Sequence, residues 1–134
     1  NGGKVEDYNG LELSEKKGQP IIAVNTTAGT GSEVTRAFVI TDEVRRSKML
    51  CVDSNSCAYL AINDPTMMVN MPASLTAATG MDALTHSIEA YVAKSRCPFT
   101  DGIALESIQL IGQYLARAVA DGHDMEARTQ MCWA

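Results

Sequence analysis

Apolar and polar positions follow two different patterns along this chain, and the change falls near residue 71. Before it, the apolar residues come in short runs bounded by turn formers. Ile21-Ile22-Ala23-Val24-Asn25 is a continuous run between Pro20 and Thr26, which predicts a buried strand covered on both faces. Ala37-Phe38-Val39-Ile40, Met49-Leu50-Cys51-Val52 and Tyr59-Leu60-Ala61-Ile62 predict three more strands. Thr41-Asp42-Glu43 and Asp53-Ser54-Asn55 supply the turns between them, and Asn63-Asp64-Pro65 closes the last. Residues 1–20 are polar and read as loops around a short segment.

After residue 71 the period becomes helical. Pro72-Ala73-Ser74 starts a helix that runs to Ala93 with only Gly80 interrupting it. A second helix follows Pro98, with Thr100 as its expected N-cap. Its apolar stripe is Ala104, Ile108, Ile111, Leu115 and Val119, and Gly122 is its stop. A third helix begins near Asp124. The predicted fold class is therefore an α/β part over residues 1–71, followed by an all-α part over residues 72–134.

Composition narrows the choice of partners. The chain has 134 residues, 46% hydrophobic and 20% charged, with a net charge of -5. That is a folding composition. Its acidity disfavours nucleic acid or an anionic membrane as the main partner, since both need a basic surface. No apolar run approaches the roughly 20 residues that span a bilayer, and no charged-then-apolar leader is visible. The chain opens at Asn1 and stops inside the apolar-periodic Met131-Cys132-Trp133-Ala134, so it reads as an internal piece. Cys51, Cys57, Cys97 and Cys132 form no C-x-x-C pair and are expected to be free thiols in a reducing cytosol.

Two stretches carry candidate chemistry. Thr26-Thr27-Ala28-Gly29-Thr30-Gly31-Ser32-Glu33 directly follows the first strand. Glycine there permits close approach of a polar ligand, and threonine hydroxyls can donate to phosphate or ribose oxygens at the carboxyl end of a strand. The competing reading is a solvated turn whose hydroxyls bond their own backbone. The loop is neither G-x-G-x-x-G nor a Walker loop. The second stretch holds Asp82 and His86, which share one helix face at i and i+4. A carboxylate and an imidazole suit a divalent metal, and Thr85 or Glu89 could hydrogen-bond behind them. A surface Asp–His pair is the competing reading, because a usable site needs three or four protein ligands. His123, in Asp121-Gly122-His123-Asp124, reads as a solvated turn residue.

Together these stretches resemble the iron-containing (group III) alcohol dehydrogenases. The resemblance rests on Asn25-Thr26-Thr27-Ala28-Gly29-Thr30-Gly31-Ser32-Glu33-Val34-Thr35, on Ile62-Asn63-Asp64-Pro65, and on Met71-Pro72. It rests most on Leu75-Thr76-Ala77-Ala78-Thr79-Gly80-Met81-Asp82-Ala83-Leu84-Thr85-His86 with Glu89-Ala90-Tyr91. These match in order and spacing over nearly the whole chain, nearest to the 1,3-propanediol and methanol dehydrogenase-like branch.

The resemblance implies a dehydroquinate synthase-like architecture. Residues 1–71 would be the C-terminal portion of a dinucleotide-binding α/β domain, and 72–134 the N-terminal portion of a helical metal-binding domain. It implies that Thr26, Thr27, Thr30 and Lys48 contact NAD(H), with Arg45 and Arg46 close to the last position. It also implies that Asp82 and His86 ligate Fe(II), with Zn as the other metal. The implied reaction is hydride transfer between NAD(H) and a primary alcohol or diol/aldehyde pair, such as 1,3-propanediol/3-hydroxypropanal. The partner would be that small alcohol or aldehyde, and the intact protein a cytoplasmic homo-oligomer.

This chain departs from the family pattern at both ends. The Gly-Gly-Gly-Ser pyrophosphate loop and two further histidine ligands are missing, so the piece alone is expected neither to hold metal tightly nor to turn over. No general base is named among these residues. The alternatives are a zinc-dependent polyol (glycerol-type) dehydrogenase and a non-catalytic relic of the fold.

Overall fold

Asp42 turns the chain between the two longest strands. Its Oδ1 accepts from the backbone N–H groups of Val44 and Arg45, at 2.9 and 2.8 Å, and Arg46 takes a left-handed φ of 51° to finish the turn. In this computed structural model, which describes residues 2–134, the turn joins β3 (Ala37–Asp42) to β4 (Ser47–Val52). They pair antiparallel from Ala37↔Val52 to Asp42↔Ser47. β1 (Gly10–Leu11) lies parallel to β4 on its other edge, giving the order β1-β4-β3. This two-residue strand starts at the end of the first expected loop and runs into the short segment between the two loops.

Alternation on β4 buries Met49 and Cys51. Beyond β4, Asp53 is buried and accepts from the N–H groups of Ser14 and Asn55 at 2.7 and 2.8 Å. The Ser14 hydroxyl, then the Ser14 and Asn55 amides, hold its carboxyl below the ordinary value.

β2 (Ile22–Val24) and β5 (Leu60–Ile62) form a separate parallel pair. Strands were expected in both places, but among the described residues nothing covers β2 on both faces. Ile22 and Val24 are 60% and 47% exposed. A two-stranded pair has nothing of its own to lay over either face.

The chain divides into two compact units. One comprises Asn1–Val24 and Ser32–Ile62, and the other Asn25–Gly31 and Asn63–Ala134. In this structure the helical unit takes in the chain from Asn63 onward. Residues 63–71 go with the helices because Met68, in the short 3-10 helix Pro65–Met68, is fully buried there. The Cys132 thiol lies 3.3 Å from its sulfur.

The helical unit contains α1 (Ala73–Val92), α2 (Pro98–Ala120) and α3 (Met125–Trp133). α1 buries Thr76, Gly80, Ala83 and Ser87, and α2 buries Ala104, Ser107, Ile111 and Ala118. Small residues at this spacing let the two helices approach closely. The start of α2 corrects one expectation. Its N-cap is Cys97 with Pro98 at the first helical position, while Thr100, at the third, uses its hydroxyl to accept from the Cys97 N–H at 2.9 Å. α3 starts where expected, with Asp124 accepting from the Ala127 N–H at 3.0 Å. Ala83, Ile111, Ala118, Ala127 and Met131 form the core. Among the described residues, no helix is long and apolar enough to cross a membrane.

Candidate functional site

α1 presents two faces of different chemistry. Its small-residue face is buried, while Asp82 and His86 stand on the solvent side, 49% and 55% exposed. One helical turn separates them, and His86 Nε2 lies 3.8 Å from Asp82 Oδ1. That spacing exceeds a direct hydrogen bond, and both groups keep lone pairs open to a third partner. One oxygen and one nitrogen donor on adjacent turns fit two positions of a divalent-iron or zinc site. Among the described residues, no group of three or more His, Cys, Asp or Glu comes together to complete such a site.

Thr85 does not support His86 in the way its position suggested. Its hydroxyl donates to the Met81 carbonyl at 2.9 Å. Glu89 is exposed one turn beyond His86. His123 is an exposed turn residue, its Nδ1 3.9 Å from Asp121 Oδ1.

The threonine loop belongs to the helical unit, although it follows a strand of the other. Asn25 opens it by donating through Nδ2 to Asn63 Oδ1 at 2.8 Å. Thr26 and Thr30 are exposed and Thr27 is half-buried. Ala28 packs against the helical core. Gly29 lies directly on the backbone of α1. A Cβ placed there would sit 2.8 Å from the Thr79 carbonyl carbon and 2.9 Å from Thr79 Cβ, and nearer still to the carbonyl oxygen. At Gly29 the absence of a side chain lets the loop lie against α1. The loop and the Asp82–His86 pair thus share one unit, with Thr79 three residues before Asp82.

Lys48 lies in the sheet unit, exposed on β4 opposite Thr41. Arg45 and Arg46 precede the strand in the hairpin turn, Arg45 within 3.6 Å of Asp42.

Sequence reasoning overlooked Arg128. It is only 3% exposed. It donates to the Thr76 hydroxyl at 2.9 Å and to the carbonyls of Gly122 and Met71 at 2.9 and 3.4 Å. Burial lowers its pKa. A lone arginine in a short helix carries no sequence signal of burial.

Comparison with known proteins bears on this arrangement. Residues 1–65 match the model for iron-containing alcohol dehydrogenases, and residues 76–134 match the model for the C-terminal part of that family. Alcohol dehydrogenase 4 of Schizosaccharomyces pombe is 52% identical over all of this chain and 32% of its own length. The NAD-dependent methanol dehydrogenase of Bacillus methanolicus is 52% identical over all of this chain and 35% of its own. The crystal structure of a 1,3-propanediol oxidoreductase superposes with a TM-score of 0.94 at 46% identity, covering 99% of this chain and 35% of that one. The chain spans about a third of the length of these relatives.

Proposed function

This chain belongs to the iron-containing alcohol dehydrogenase family, and from that premise we propose that the whole protein carrying it transfers a hydride between NAD(H) and a primary alcohol or diol/aldehyde pair. The observation that carries the reading is the Asp82–His86 pair on the solvent face of α1, in the same unit as the threonine loop. Asp82 and His86 would hold the metal, with the remaining ligands supplied by other parts of the whole protein. A bound ferrous ion supplies Lewis acidity toward the oxygen of the alcohol or aldehyde.

This chain's own residues bind and orient. The hydroxyls of Thr26, Thr27 and Thr30 would donate to phosphate or ribose oxygens of the cofactor. Lys48, a cation exposed on β4, is assigned to the same cofactor on family resemblance. NAD(H) rather than NADP(H) is supported by the likeness to an NAD-dependent methanol dehydrogenase, and the 1,3-propanediol oxidoreductase likeness supports a small diol as substrate. Cys51, Cys57 and Cys97, which form no disulfide, suit a reducing cytoplasm. We assign the whole protein a homo-oligomeric state, which light scattering would check.

Asp82→Ala or His86→Ala in the whole protein should abolish bound iron and turnover together. Full activity with normal metal content in either variant refutes the ligand assignment. Reconstitution of metal-free protein with iron and, separately, with zinc decides between this reading and the zinc-dependent polyol dehydrogenase.

A further inference from the structure

We infer that Ala28 and Gly29 are positioning residues, clamping the cofactor loop to the helix that carries the metal pair. The inference rests on the assignment of the threonine loop to NAD(H) and of Asp82 and His86 to the metal.

Two adjacent residues make the clamp by different means. Ala28, half-buried, packs against the core built by Ala83, Ile111, Ala118, Ala127 and Met131. Gly29 then lays its backbone on Thr79, where no larger residue fits without moving the loop or the helix. The obstacle is main chain, since the atoms crowding the position include the Thr79 carbonyl carbon and oxygen. A rotamer change cannot relieve it. Its φ of 156° adds a second restriction on any side chain there.

The contact sits where it matters for geometry. Thr79 is three residues before Asp82 on one rigid helix, so the loop inherits its position from the element that sets the Asp82–His86 face. Thr26, Thr27 and Thr30 flank the clamp on both sides. Hydride transfer tolerates little error in how cofactor and substrate are held, and a displacement of about 1 Å in such a support costs up to roughly 100-fold. A loop fixed to the metal helix at two consecutive residues meets that demand. Thr79 itself contributes main chain: its hydroxyl donates along its own helix to the Leu75 carbonyl at 3.0 Å.

The test uses the whole protein loaded with iron and reads NADH affinity by fluorescence titration and iron per chain by elemental analysis. Gly29→Ala should weaken NADH binding by about tenfold or more, while iron per chain stays at the wild-type level. Ala28→Gly removes one methyl without creating a clash, and should weaken NADH binding by about threefold with iron retained. Gly112→Ala, where a Cβ meets open space on α2, is the control and should change neither. Thr27→Val tests the underlying assignment.

Weaker NADH binding in all three loop variants, with iron intact, supports the clamp. Wild-type NADH affinity in Gly29→Ala and Ala28→Gly, with Thr27→Val impaired, overturns the clamp and leaves the cofactor assignment standing. Wild-type affinity in Thr27→Val as well overturns that assignment and the clamp with it. If Gly29→Ala fails to fold or loses its iron, Ala28→Gly decides by the same criteria.

Discussion

Arg128 on α3 donates through Nη1 to the Thr76 hydroxyl on α1 at 2.9 Å, so the last helix of the chain holds the first turn of its helical unit. The same guanidinium reaches the Gly122 and Met71 carbonyls. Its hydrogen-bond partners are uncharged acceptors, and together with the favourable field of the Asp121 carboxylate they offset the cost of burying the cation. Arg128→Met keeps much of the volume and removes every donor. Leaving these acceptors unpaired should cost about 3 kcal/mol of stability. Arg128→Lys keeps the charge but not the fork, and should fall between. Melting of the whole protein with each variant measures this, and a melting temperature unchanged in Arg128→Met would show that the guanidinium contributes nothing there.

A similar dependence on close fit appears where α1 meets α2. A Cβ at Gly80 would lie 3.1 Å from Leu115 Cδ2 and closer to Cδ1. The obstacle here is the flexible end of a side chain, unlike the main chain facing Gly29. Gly80→Ala gains about 1 kcal/mol of helix propensity and loses about 1–3 kcal/mol to overpacking. It should be mildly destabilising. Gly112→Ala on the same helix pair meets open space and should gain up to about 1 kcal/mol. Chemical denaturation of the two variants side by side checks the contrast. Equal shifts would show that Leu115 does not constrain Gly80.

The strands, the helices and the shared face of Asp82 and His86 were legible because periodicity and i,i+4 spacing are properties of sequence. β2, β5 and α1–α3 lie where the pattern put them. What escaped were features decided by the partner of a residue. The close approach of Gly29 to Thr79 depends on a partner about 50 positions away along the chain, which the loop's own composition does not name. Thr100 was read as a cap and supports one from inside the helix. Arg128, a charged residue in a nine-residue helix, gave no hint of burial. The exposed faces of β2 and β5 show the same limit: an apolar run says that cover is needed, and not where it comes from.

Acid should loosen the sheet unit at one identifiable point. Asp53 in its charged form accepts from the Ser14 hydroxyl and from the Ser14 and Asn55 amides, which lowers its pKa below the ordinary 3.8. A carboxyl with a lowered folded value adds stability that is fully present above the unfolded value and lost as pH falls through the folded one. Protection of the Ser14 and Asn55 amides against hydrogen exchange, corrected for intrinsic rate, should therefore hold above the ordinary carboxylate value of 3.8 and be lost only as pH falls below it. Asp53→Asn turns an NH2 toward one of these donors, so protection should already be low near neutrality and change little with acid. A wild-type profile with no acid-dependent loss would remove Asp53 from this role.

The two units should also differ when the 134 residues are produced alone. In the helical unit the core residues Ala83, Ile111, Ala118, Ala127 and Met131 are shielded by the helices of that same unit. In the sheet unit, Ile22 and Val24 on β2 and Leu60 and Ile62 on β5 remain 42–60% exposed, on a parallel pair of only three residues per strand. Parallel strands are stable when both faces are covered, and a two-stranded sheet is marginal in water. The isolated chain should therefore lack a single sharp melt and should tend to associate through its uncovered strands. Amides of α1 and α2 should exchange orders of magnitude more slowly than those of β2 and β5. A sharp, reversible melt with β2 and β5 as protected as α1 would mean that this pair is stable without cover, contrary to the exposure of its side chains.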